Sequence, residues 1–215
     1  MRRRAPHGVQ LALLVSGLSV ACAGLGGAPG RAGCPVVPVP AAGLPGSFPQ
    51  HFRIRFSAGG RSLHLDALVD RTDRELVVAG FAPYGPRLFA VRQDDEATEV
   101  ESALRRELAP MALWVVDALH RVYWIERPAP AAGDGPVRWD RENERVSDWQ
   151  RDGILFRREF AARGSSLADA AVAIDYPAQG SAAAGDAVGI RNAWCGYEAV
   201  IVALEGMPTD AASDR

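Results

Sequence analysis

The chain has 215 residues, 48% of them hydrophobic and 23% charged, a balance that suits one folded soluble domain and excludes wholesale disorder. Its 24 basic and 26 acidic residues leave a formal charge of -2, and without Arg2, Arg3 and Arg4 the remainder is more acidic still. Nucleic-acid affinity needs clustered cations against phosphates, so nucleic acid is excluded as a partner.

Met1 to Arg4 form a positive start, and Val9 to Ala21 an apolar run too short to span a bilayer, followed directly by Gly and Pro. That architecture predicts a cleaved signal peptide over residues 1–21. The run ends in Leu18-Ser19-Val20-Ala21-Cys22, which resembles a lipobox, with Ser19 where Leu is usual. The resemblance implies that Cys22 is acylated and becomes the mature N-terminus, the several acyl chains together giving a stable anchor. An ordinary secreted protein with an unmodified Cys22 is the other reading. Ala23 follows where enteric inner-membrane lipoproteins carry Asp, so the resemblance implies the periplasmic face of the outer membrane.

Residues 22–49 are dominated by Gly, Ala and Pro, as in Pro35-Val36-Val37-Pro38-Val39-Pro40, and read as a tether. With Cys22 lipidated, Cys34 and Cys195 remain. They either pair in an oxidising compartment or stay as free thiols.

From Gln50 the period is two. Phe52, Ile54 and Phe56 alternate with polar neighbours, Gly59-Gly60 turns the chain, and Leu63, Leu65, Ala67 and Val69 alternate again. Glu75 to Ala82 and Arg87 to Gln93 extend this hairpin into a four-stranded meander. Val100, Leu104 and Leu108 recur every fourth residue, which predicts an amphipathic helix after the acidic turn Asp94-Asp95-Glu96, ended or kinked by Pro110. Met111 to Trp124 is apolar nearly all round and should be a second, enclosed helix or a helix running into a strand.

Further strands are expected at Val137–Asp140, Arg145–Gln150, Ile154–Phe160, Ala171–Tyr176, Val188–Ala193 and Tyr197–Leu204, and residues 206–215 as a loose tail. Strands, helices, then many strands describe an α+β fold over residues 50–205, a curved antiparallel sheet forming an incomplete β-barrel with a helical plug.

Catalytic patterns are missing. The chain has no Gly-x-Ser-x-Gly elbow, His-Glu-x-x-His pair, phosphate-binding glycine loop or Cys-x-x-Cys. His51, His64 and His120 lack metal-ligand spacing, and Asp94-Asp95-Glu96 lacks the donors of a calcium loop. No active site, metal or cofactor is assigned. Trp139 and Trp149 alternate with charged residues and either cover a sheet face or form an exposed membrane or partner contact, the first being the simpler reading.

The leader and cysteine, Phe52-Arg53-Ile54, Leu63 to Val69, Gly85-Pro86-Arg87-Leu88-Phe89, the block through Trp114 and the ending Ile190-Arg191-Asn192-Ala193-Trp194-Cys195-Gly196-Tyr197 resemble a family of bacterial lipoproteins known as domain of unknown function 3261. The chain departs from that pattern where Met111-Ala112-Leu113-Trp114-Val115-Val116 lacks a Trp-Pro pair and where Cys195 intrudes. Members are often encoded beside fatty-acid or aryl-polyene synthesis genes. Their pattern resembles the carrier and receptor lipoproteins of the Lol pathway, which implies the same half-barrel and plug.

The expected function is that of a non-enzymatic, membrane-anchored monomer. It would bind or transfer an acyl chain or lipidated molecule in a cavity lined by Leu63, Leu65, Val78, Leu88, Trp114 and Leu119, each buried methylene contributing about 0.8 kcal/mol. The same six residues could instead be plain core. The chain would then be a structural or assembly lipoprotein docking onto an envelope complex; a hydrolase built from distant residues is the third reading.

Overall fold

The computed structural model describes residues 50–72, 74–94, 96–125, 135–141, 143–164, 170–177 and 185–204. The expected signal peptide, Cys22, the tether with Cys34 and the tail all lie outside them.

The backbone is mostly antiparallel sheet. The N-terminal meander runs through β1 (His51–Ala58), β2 (Arg61–Arg71), β3 (Leu76–Phe81), β4 (Arg87–Gln93) and β5 (Thr98–Ala103). A second series comprises β6 (Gly135–Arg141), β7 (Glu144–Arg151), β8 (Ile154–Ala162), β9 (Val172–Asp175), β10 (Ala187–Asn192) and β11 (Tyr197–Leu204). The two meet where β1 pairs with β11, giving one curved, unclosed sheet of 11 strands in the order β5-β4-β3-β2-β1-β11-β10-β9-β8-β7-β6. This is more sheet-rich than an α+β fold, but it has the expected half-barrel outline with a helical segment inside.

The chain leaves the sheet at one outer edge, β5, and returns at the other, β6. Between them lie a 3-10 turn at Arg106–Leu108, helix α1 at Ala109–Leu119 and a π-helical turn at His120–Trp124. Strand alternation explains why that segment has a surface to lie on. Phe52, Ile54, Phe56, Leu65, Val78 and Ile201 point to one side and are almost wholly buried there, each such side chain contributing about 1.5–3 kcal/mol. Val115, Val116, Leu119 and Trp124 of the helical segment join the same core.

Two expectations fail. Residues 98–103 form strand β5 rather than a helix, with Val91 opposite Val100, and Arg92 reaches Glu75 at 3.0 Å and Glu101 at 3.3 Å across the three strands. The acidic turn is therefore a hairpin: Asp94 Oδ1 accepts the N–H groups of Glu96 and Ala97, both at 2.8 Å, and those bonds hold its carboxyl below the usual range. Pro110 sits in the first turn of α1, so it starts the helix instead of ending one; its missing N–H costs nothing there.

Gly80 pairs with Phe89 across β3 and β4, and a Cβ at Gly80 would run into the buried Phe89 ring. Gly80→Val should therefore destabilise the protein by about 1–3 kcal/mol in denaturant unfolding. Adding Phe89→Leu should recover part of that loss; no recovery would mean that the backbone, not the ring, is what the substitution offends.

Candidate functional site

The helical segment is held by polar contacts that start at its middle. Asp117 and Arg121 lie one turn apart on α1 and its π extension, both almost wholly buried. Arg121 Nε donates to Asp117 Oδ1 at 3.0 Å and Oδ2 at 3.1 Å, and its two terminal nitrogens grip Glu144 of β7 at 2.8 and 3.2 Å. Asp117 Oδ2 also accepts from Tyr197 Oη at 2.8 Å and Asn192 Nδ2 at 3.2 Å. Arg121 is stacked over Phe160 at 4.6 Å from the ring centre, so the guanidinium is enclosed on its face as well as its edges.

A second arginine ties the end of the segment. Arg158 of β8 grips Asp148 of β7 at 2.6 and 2.8 Å and donates to the carbonyl of Ile125 at 3.1 Å, where the helix dipole favours a cation. Tyr176 Oη donates to the Val122 carbonyl at 3.2 Å. The π turn closes with Ile125 N–H to His120 O at 3.0 Å, the wider winding that positions these two carbonyls. His120 Nε2 meets Gln93 Oε1 of β4 at 2.7 Å, and its ring stands edge-on to Trp124.

Burial and neighbouring charge decide the protonation states. Burial pushes the Asp117 carboxyl up, opposed by the Arg121 charge and the hydrogen bonds from Tyr197 and Arg121. For Arg121 burial works against the charge, but Asp117 and Glu144 outweigh it and hold its pKa above the ordinary value. Burial, then the charges of Arg141 and Arg121, lowers His120 to about 3, so the imidazole is neutral at physiological pH. The Asp117 carboxylate is surrounded by donors and faces no open space. The arrangement is suited to clasping a helix to a sheet wall.

The first half of α1 is different. Among the described residues, Ala109–Val116 makes no side-chain hydrogen bond to the sheet; the ties begin at Asp117. Trp114 is half-buried and stacks on Phe56 at 6.2 Å and on Tyr197 at 6.1 Å. Of the cavity-lining residues expected from the sequence, Leu65, Val78 and Leu119 are at most 1% exposed and Leu88 is 8% exposed. Leu63 and Trp114 pack partly exposed against that core. All six converge on the concave side, with the helical segment seated among them. A polar groove of about 430 Å³, lined by Arg55, Ser57, Ser62, Asp175 and Glu198, lies on the opposite face of the sheet.

Trp149 faces outward and donates to Glu159 at 3.0 Å, whereas Trp139 faces inward with the Arg158 guanidinium 5.9 Å from its ring centre. No cluster of metal-ligating side chains occurs among the described residues, and none of their helices is long and apolar enough to cross a membrane. Cys195 is disulfide-bonded and lies in the β10–β11 turn, its N–H donating to Asn192 Oδ1 at 3.0 Å; the expected partner, Cys34, is outside the described residues. Sequence reasoning missed Glu144, Asp148, Arg158, Asn192 and Tyr197 as a group, because they sit on four strands. The local signal was Asp117, His120 and Arg121 in a run otherwise mostly apolar.

No curated protein matches the chain. A crystal structure of a DUF1329 family protein from Desulfovibrio piger is similar at 8% identity and a TM-score of 0.31, over 73% of this chain and 84% of that one, too loosely to carry fold or function. The sequence model of the family described as "Protein of unknown function (DUF3261)" matches residues 50–205. The half-barrel chain with its clasped helix belongs to that family.

Proposed function

We propose that the protein is a non-enzymatic, monomeric lipoprotein, anchored through acylated Cys22 at the periplasmic face of the outer membrane. It binds or passes a lipid or lipidated molecule between the concave sheet and the helix, in the manner of a Lol-type carrier. The observation that carries this reading is the asymmetry of the plug. Its second half is clasped by Asp117, His120, Arg121 and Arg158, while Ala109–Val116 rests on apolar and aromatic contacts alone. The unclasped half can lift without breaking a buried ion pair, and an acyl chain would take its place against Phe56, Leu63 and Trp114. Each buried methylene adds about 0.8 kcal/mol, so a chain of ordinary length offsets the lost helix contacts.

The test is titration of the leader-free chain with a fluorescent fatty acid. Saturable binding is expected, weakened about tenfold or more by Trp114→Glu or Leu63→Glu, both half-buried against the core, with the unfolding midpoint of each measured alongside to separate lost binding from lost folding. Absence of saturable binding to the unsubstituted protein sinks the carrier reading. That result would favour an assembly role, docking onto an envelope complex, which the full burial of Leu65, Val78 and Leu119 also supports.

A further inference from the structure

The two ends of the sheet differ in chemistry. At one end lie the β1–β2 turn at Gly59-Gly60, the β3–β4 turn at Pro83–Pro86, the exit of β5 at Leu104, and the β10–β11 turn with Cys195. Register places them together: Ala58 is opposite both Arg61 and Tyr197, and the Leu104 N–H bonds to the Leu88 carbonyl at 2.7 Å.

Two large apolar side chains stand out from this end with nothing over them. Tyr84 is fully exposed, and Leu104 is 59% exposed. Tyr84 is also strained. The Gly85 N–H bonds to the Ala82 carbonyl at 2.9 Å, making Pro83-Tyr84 the centre of a tight turn, and Tyr84 takes φ 55° at the position where such a turn favours glycine. A bulky ring held in an unfavourable backbone conformation and projected into water contributes nothing to the fold, which points to a contact outside it.

Charge marks the same end. Arg61, Arg87, Arg105 and Arg106 are exposed around these two side chains, and none of them forms an ion pair among the described residues. Glu107 is their acidic neighbour, and Glu198, beside the β10–β11 turn, is paired with Arg191 at 2.9 Å. The opposite end carries Asp70, Glu75, Asp94, Glu96, Asp152 and Asp186 at or beside its turns, which outnumber Arg71, Arg74 and Arg151 there.

We infer that the end bearing Tyr84 and Leu104 docks on an anionic lipid bilayer, the two apolar side chains entering the headgroup region and the four unpaired arginines meeting the phosphates. Apolar tips framed by unneutralised cations match an anionic interface. The pairing expected between Cys195 and Cys34 would bring the lipid-bearing N-terminal segment to the same end. The unclasped half of α1 follows Leu104 after the short turn at Arg106–Leu108, so an acyl chain would move between bilayer and sheet without crossing water. This deepens the carrier reading, but the docking face can be tested apart from it.

The experiment is co-sedimentation of the chain from residue 23, which lacks the leader and the acylated cysteine, with vesicles of phosphatidylglycerol and phosphatidylcholine. Every described element lies within residues 50–204, so removing the leader takes none of them away. Binding is expected to phosphatidylglycerol-containing vesicles, weaker to pure phosphatidylcholine and falling with salt. Arg105→Glu with Arg106→Glu should weaken it by about tenfold or more, each arginine near such a surface being worth about fivefold. Tyr84→Gly with Leu104→Ser should weaken it comparably, while Tyr84→Gly alone leaves the unfolding midpoint unchanged or raised, a result a merely structural tyrosine would not give. No binding of the parent chain to anionic vesicles overturns the proposal, as does equal binding by both double variants. Self-association through this face, with no lipid binding, does the same. Fatty-acid titration of these variants should be unaffected, whereas a parent chain that binds anionic vesicles but no fatty acid counts against the carrier reading and not against the docking face.

Discussion

Arg121→Met is expected to destabilise the protein by about 3–5 kcal/mol, the usual result of removing one partner from a buried ion cluster. Arg121 neutralises both Asp117 and Glu144, and all three are at most 4% exposed, so the substitution strands two carboxylates away from water. Tyr197→Phe should cost less, about 1–3 kcal/mol, since it removes one donor and leaves Arg121 and Asn192 on Asp117. Joint replacement of Asp117, Arg121 and Glu144 by Leu, Met and Leu should recover much of the loss, because no charge is then left unpaired. Denaturant unfolding midpoints for the three proteins decide the matter. A cost below about 1 kcal/mol for Arg121→Met would show that the cluster is hydrated and clasps nothing.

The second large effect is a loss of stability in acid traceable to His120. Its pKa falls from 6.5 to about 3 on burial, so the unfolded chain binds a proton that the folded protein refuses. Stability from this group is complete above pH 6.5 and declines as pH falls toward the folded value. Between pH 6.5 and pH 4 the loss amounts to about 3 kcal/mol. His120→Gln can still donate to Gln93 Oε1, which His120 meets at 2.7 Å, but does not titrate. Its stability should fall less steeply over that interval. Parallel pH profiles for the two proteins would remove the imidazole from the account, since the carboxylates are common to both.

These two expectations concern the clasped half of the plug, and the proposed carriage of an acyl chain concerns the other half. Under that proposal, a clasp on one half only would let the helix lift while its far end keeps its place. The π turn at His120–Trp124 is where the regular winding stops and the ties to β8 and to Tyr176 begin.

How far residues alone could lead is clearest from the places where the period was ambiguous. Strands β1 to β4 could be read directly, since one face is buried and the other wet, and a period of two has no other structural meaning over that length. Val100, Leu104 and Leu108 were misleading because a spacing of four puts side chains on one face of a helix and equally on one side of a strand. The choice was made by β4, whose edge pairs with Thr98–Ala103. Pro110 was recognised as a boundary, but whether it closes one helix or opens the next depends on which side is already pledged to the sheet.

The sequence by itself determined the alternating strands, the enclosed helical block and a body without a recognisable catalytic motif, because those follow from side-chain period and residue type over short stretches. Only the tertiary structure decided that the helix crosses from edge β5 to edge β6 over the concave face, and that Asp117, Arg121, Glu144, Asn192 and Tyr197 form one cluster. Such partners lie up to 80 residues apart along the chain. Their mutual affinity is an electrostatic matter of a few ångströms in a dry interior, and it leaves no periodicity to read.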